Sequence, residues 1–133
     1  MKTWSQSIIL LFALSLFSVS ILANDQLLNN AWRSQQSNIQ VQGAGSVIQL
    51  LADDNQGNRH QKFVIKLATG QTLLVAHNID LAAKIHNLSV NDPIEFYGEY
   101  EWNAKGGVIH WTHRDPNNHH AHGWLKHKGV LYQ

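Results

Sequence analysis

Apolar residues in this chain recur mostly at every second position, the period of half-buried β-strands. From Ile39 onward, Val41, Gly43, Gly45 and Val47 share one parity, while Gln40, Gln42, Ala44 and Ser46 share the other. After Val47 the pattern slips, because Ile48, Leu50 and Leu51 no longer keep it, and a β-bulge is the simplest account. His60 to Leu67 alternates again with Phe63, Ile65 and Leu67 inward, and Thr72 to Ala76 follows across the turn Ala68-Thr69-Gly70. Ile94 to Trp102 is the cleanest run, with Ile94, Phe96, Gly98, Tyr100 and Trp102 on one face and Glu95, Tyr97, Glu99 and Glu101 on the other. The Gly-containing loop 103–107 turns it back into a fifth strand, Val108 to Thr112.

Two stretches have helical spacing instead. Asp25 to Gln36 places Leu27, Leu28, Ala31 and Trp32 on one side behind Asp25 as N-cap, and Asp80 to Leu88 places Leu81, Ile85 and Leu88 behind Asp80. At the end of the chain, Trp124 to His127 and Val130 to Tyr132 flank Lys128-Gly129 as a tight hairpin, apolar enough to pack back on the core. Three strands, a short helix and two more strands follow the order of an OB-fold. The expected architecture is therefore mainly β: a small five-stranded OB-like antiparallel barrel with a short helix between strands 3 and 4, an N-terminal helix and a C-terminal hairpin.

The first residues change the domain picture. Lys2 is followed by an apolar run from Ile8 to Leu22 broken only by serines, the length and polarity of a secretory signal rather than of a bilayer span. We expect 1–23 to be a signal peptide cut after Ala23, 24–37 the N-terminal helix and 38–133 the barrel with its His-rich end. The protein would then be periplasmic or secreted, with no stable membrane span after processing, and about 110 residues would remain, enough for one modest core and a monomer. The chain has ten Lys plus Arg and nine Asp plus Glu, so without Lys2 the charges balance. A neutral domain lacks the basic footprint that supplies most non-specific affinity for nucleic acid, so nucleic-acid binding is not supported. There is no cysteine, and any metal must be held by nitrogen and oxygen ligands.

The densest chemistry lies between Val108 and Tyr132, which holds six of the nine histidines: His110, His113, His119, His120, His122 and His127. Imidazole is the commonest ligand for transition metals and the readiest acid or base near neutral pH. His110 and His113 have opposite strand parity, so the chain must turn between them before they can share an ion, and Asp115-Pro116 is where a strand would stop. Folding back the last hairpin would bring His120 and His127 toward them. Elsewhere the plainer reading is preferred: Asp53 and Asp54 as turn formers, His77 as a solvated loop residue, His86 without a role, and the glutamates of the fourth strand as a solvated face.

This end of the chain also resembles a family of short exported bacterial proteins catalogued only as a domain of unknown function. The resemblance rests on His110, Trp111, Thr112, His113, Asp115, Pro116, His120, Gly123, Trp124, His127, Gly129, Tyr132 and Gln133, and leaves His119 and His122 outside the pattern. It implies no activity.

Three functions are compatible with these residues. One is a site for zinc or another divalent metal with His110, His113, His120 and His127 as ligands. Another is a hydrolase acting on phosphodiesters, with His113, Asp115 and His120 as the catalytic group, either through a metal-bound water or by two imidazoles as base and acid. The alternative is a non-catalytic OB-fold module that binds a small or polymeric envelope or extracellular ligand over Trp102, Trp111 and Trp124. No nucleophile motif of the G-x-S-x-G kind is present, so covalent acyl chemistry has no support.

Overall fold

The computed structural model describes residues 24–133, and the expected signal segment, 1–23, lies outside the described residues. Helix α1 covers 24–33 and is followed by seven strands: β1 (Ile39–Leu50), β2 (His60–Lys66), β3 (Thr72–Asn78), β4 (Pro93–Glu101), β5 (Val108–His110), β6 (Trp124–His127) and β7 (Val130–Tyr132). The strand order β1-β2-β3-β5-β4 closes on itself through a β1–β4 pairing that runs from Ile39↔Tyr100 to Ser46↔Pro93. The result is a closed five-stranded barrel, with β6 and β7 added along β4.

The alternating residues fill this barrel. Val41, Val47, Phe63, Ile65, Leu73, Val75, Ile94, Phe96, Tyr100 and Ile109 are buried in one core, joined by Leu28 and Ala31 of α1 and Leu125 of β6. At roughly 1.5–3 kcal/mol for each fully buried large apolar side chain, this set supplies the main driving force of the fold. The slip after Val47 is a bulge, because Val47 pairs with Ile65 while Gln49 pairs with Val64. Helix α1 is fastened to one end of the barrel by the indoles. Trp32 Nε1–H donates to the Asn103 carbonyl at 3.1 Å, Trp102 Nε1–H donates to the Trp32 carbonyl at 3.0 Å, and the Gln71 amide reaches both the Leu28 and Gly106 carbonyls.

Several expectations are corrected. The barrel is mixed rather than antiparallel, since β5 lies parallel to β3 with Leu74↔Val108 and Val75↔Ile109. The helix expected between the third and fourth strands is absent. Residues 79–92 form turns, with one helix-like bond, from the Ala82 N–H to the Asn78 carbonyl. The reason is competition for backbone groups: the buried Gln61 amide takes both the N–H and the carbonyl of Ile85, at 2.9 and 2.8 Å, and His77 takes the Ala83 carbonyl. Asp80 caps no helix and instead binds the backbone N–H and guanidinium of Arg59. Asp25 is likewise not a cap, because residue 24 is already helical. Its carboxyl is buried, and desolvation raises its pKa above the ordinary value.

Gln61 thus acts as a strand-like partner for a segment whose spacing favours a helix. Gln61→Leu would leave two buried backbone groups of Ile85 unpaired, each worth about 1–3 kcal/mol. We expect the variant to unfold at clearly lower urea with an unchanged slope; a midpoint equal to wild type would contradict this role.

Candidate functional site

Strand β4 is flanked by β1 along one edge and by β5 and then β6 along the other. Glu99 and Glu101 pair with His110 and Val108 of β5, and Glu95 and Tyr97 pair with Lys126 and Trp124 of β6. The His-rich loop leaves the sheet between these two partners. Gly98 sits at the junction, where an added Cβ would lie 2.6 Å from the His110 carbonyl oxygen. Gly123 brings the chain back, and an added Cβ there would collide with the Trp111 carbonyl. Only glycine lets the two ends of the loop approach the sheet this closely.

The turn required between His110 and His113 falls at Trp111, whose φ of 56° is unusual for a bulky residue. Strain of this kind persists only where the surroundings hold it. Thr112 is fully buried behind Trp111, and its hydroxyl lies 2.7 Å from Nδ1 of His77. Nε2 of His77 lies 2.9 Å from the Ala83 carbonyl. A carbonyl only accepts, so Nε2 carries the proton and Nδ1 accepts from Thr112. His77, expected to be a solvated loop residue, is the buried post of this corner. Burial holds its pKa down at about 4.

The loop beyond is built on Asp115. Its carboxylate accepts from the backbone N–H of Asn117 at 3.0 Å and from those of His119 and His120 at 2.7 Å each, and these bonds lower its pKa. Its own N–H donates to Nδ1 of His122. In the structure its carboxylate orders a turn, and it meets His119 and His120 through their main chains.

The four candidate ligands do not form one imidazole cluster. His113 and His120 both lie against the Trp111 indole, with ring centroids 5.1 and 4.0 Å away. Nδ1 of His113 faces the Arg114 carbonyl at 2.6 Å and Nδ1 of His120 faces the Ala121 carbonyl at 2.9 Å. Each Nδ1 therefore carries a proton, which leaves Nε2 as the nitrogen through which either ring could meet a metal. His127 is elsewhere: it is buried at the end of β6, with Nε2 2.8 Å from an Asp92 carboxylate oxygen. That bond is the main reason the Asp92 pKa is lowered. It ties the final hairpin to the turn before β4.

Among the described residues, the group with ligand-competent spacing combines His110 with two residues read from sequence as a solvated face. Nε2 of His110 lies 3.3 Å from Glu99 Oε2 and 3.4 Å from Glu101 Oε1. One ligand atom from each of the three residues lies within 4.8 Å of the others, so the group has the spacing to hold a metal ion. His120 Nε2 approaches the same Glu99 oxygen at 3.6 Å. The His110 nitrogen is shielded from solvent and makes no hydrogen bond. The missed signal was register: Glu99 and Glu101 share outward parity, and the loop 103–107 returns β5 so that His110 stands opposite Glu99.

Fold and site together define a small closed β-barrel with a His/Glu group on its outer wall, at the root of an ordered His-rich loop. A family model described as "Protein of unknown function (DUF3465)" matches residues 9–133, and the chain belongs to that family. No curated protein matches the chain significantly.

His77 gives the site's supporting corner a defined pH response. Its folded pKa lies below the unfolded value, so the unfolded chain binds more protons. The stabilisation is full above the unfolded pKa of 6.5 and is lost as pH falls from there toward 4. From pH 7 to pH 5 we expect it to account for about 2 kcal/mol of lost stability. Urea unfolding at the two pH values should show this loss in wild type and a much smaller one in His77→Asn; an equal loss in both would assign it to other groups.

Proposed function

We propose that the protein is an exported OB-type barrel that binds one divalent metal ion of the zinc class through Glu99, Glu101 and His110, with His120 beside them. The OB reading is supported by the β1-β2-β3-β5-β4-β1 order and the parallel β3–β5 pair, although the customary helix is replaced by the turns of residues 79–92. Export is supported by the polarity of the first 23 residues.

One observation carries the metal reading: a shielded imidazole nitrogen without a hydrogen bond faces two carboxylate oxygens at 3.3 and 3.4 Å. Ligands bound at 2.0–2.1 Å around a tetrahedral ion lie about 3.3 Å apart, so this spacing suits zinc. Two carboxylates side by side also repel, and a dication between them removes that cost. An imidazole among the ligands favours zinc, nickel, copper or iron over magnesium and calcium.

Protein purified as the expressing cell processes it should, after chelation, loading with Zn²⁺ and desalting, retain about one equivalent. At a free concentration a hundredfold above Kd, zinc would add about 2.7 kcal/mol of stability and raise the melting temperature. Glu99→Gln, Glu101→Gln and His110→Ala should each lower affinity at least tenfold. His119→Ala and His122→Ala should leave it unchanged, and His127→Ala should lower stability while keeping the stoichiometry. Wild-type protein that retains no metal, or a His110→Ala variant that retains as much as wild type, would rule out the site.

A hydrolytic use of the same site is the second reading. It is favoured by the position of His120, whose Nε2 stands 3.6 Å from Glu99 without belonging to the three-residue group. Three protein ligands would leave a zinc position open for water, and a neighbouring imidazole would be placed to exchange a proton with it. Zinc-dependent turnover of a generic phosphodiester, lost in His120→Ala while zinc affinity stays, would establish this reading; zinc binding without turnover would leave a non-catalytic metal module.

A further inference from the structure

A second surface, sharing no residue with Glu99, Glu101, His110 or the histidine loop, has a different chemistry. The bulge after Val47 breaks the inward–outward alternation and leaves Ile48, Leu50 and Leu51 exposed in one short stretch. Val64 and Leu74, half-buried on the outer faces of β2 and β3, extend this aliphatic surface. Between it and the loop 103–107 runs a groove of about 440 Å³ lined by Ile48, Leu51, Val64, Leu74 and Lys105 among others. A hollow of about 320 Å³ adjoins it, lined by Asn29, Trp32 and Gln71, and the two share Thr72 and Lys105.

The charge lining the two lobes is of one sign. Lys105 is exposed at the junction of the two lobes, and no carboxylate lines either of them. Lys62 and Lys66 flank Val64 at the same strand parity. Among the described residues the lysine ion pair is Lys84 with Asp53, so Lys62, Lys66 and Lys105 are without acidic partners. The loop that carries Lys105 is held in place: the Asn103 side chain accepts from the N–H groups of Lys105 and Gly107, and the Asn103 carbonyl accepts from Trp32. A groove built on fixed elements is preformed for its ligand.

We propose that this groove binds a single-chain anionic glycerophospholipid, with its acyl tail on Val64, Leu74, Ile48 and Leu51, its phosphate at Lys105 and its polar head beside Trp32 and Asn29. An amphiphile of this class carries its charge between a small polar head and an apolar tail, the order in which the polar lobe, Lys105 and the aliphatic lobe follow one another. The volume of the aliphatic lobe is that of a small-molecule site and accommodates one chain. A flat bilayer does not match a concave lobe. Single-stranded nucleic acid calls for aromatic stacking platforms, which the aliphatic lobe lacks.

Isothermal titration below the critical micelle concentration tests this, using protein purified as the cell processes it and lysophosphatidylglycerol as the probe. We expect it to bind at least tenfold tighter than lysophosphatidylcholine, decyl maltoside or tail-free glycerophosphoglycerol. Lys105→Glu and Leu74→Glu should each weaken binding at least tenfold while keeping the wild-type circular dichroism spectrum and thermal transition. Absence of binding overturns the proposal, as does equal affinity for the uncharged or zwitterionic amphiphiles. Tighter binding of oligothymidylate would make the surface a polyanion site, and association with phosphatidylglycerol vesicles but not with the monomeric lysolipid would make it a membrane-docking face; either result also overturns it.

Discussion

The structure depends on the double pairing of β4. One edge closes the barrel against β1, and the other is divided between β5, opposite residues 99–101, and β6, opposite residues 95–97. A strand paired on both edges has no free backbone to re-register, and a slip of one residue would turn Phe96 and Tyr100 out of the core. The division of its second edge is what creates the site. Because β5 stops at His110 and β6 begins at Trp124, the intervening thirteen residues must leave and rejoin the sheet at neighbouring points, beside Gly98 and Gly123.

The loop so produced is ordered by hydrogen bonds rather than by a core of its own. Asp115 gathers three backbone N–H groups, Gly123 N–H returns to the His113 carbonyl, and the His77–Thr112 pair anchors the strained turn at Trp111. His113 and His120 each have Nδ1 occupied by a carbonyl, which restricts the ring, and His110 has Nε2 directed at two carboxylates. Such preorganisation distinguishes these side chains from solvated loop histidines, because the entropy of fixing a ligand is spent on folding and not on binding.

Two strands each carry outward charge of one sign. The outer face of β4 carries Glu95, Glu99 and Glu101, while the outer face of β2 carries Lys62 and Lys66. A chain with nearly balanced totals thus carries outward charge of opposite sign on two of its strands. Overall neutrality argues against a large polyanion partner, but it says little about sites the size of one ion or one headgroup.

Local pattern was enough to read most of the strands, although the fifth, expected over 108–112, stops at His110. The alternation of residues 39–47, 60–67 and 94–102 marks the inward residues correctly, the slip after Val47 marks the bulge, and Lys128-Gly129 marks the final hairpin. These are near-neighbour properties: side-chain direction and turn geometry follow from a few adjacent residues. The opposite parity of His110 and His113 likewise announced a turn, found at Trp111. Helical spacing at 80–88 misled because a distant glutamine competes for Ile85, and His77 looked like a loop residue because its partners, Ala83 and Thr112, lie on other segments. The histidine count pointed to the segment that holds His110, but the candidate group needed the β4–β5 register, which sets Glu99 opposite His110, and the packing of β6 on the turn before β4 places His127 beside Asp92. Parity can be read along one strand; which side chains face each other across two strands is decided only when the sheet closes.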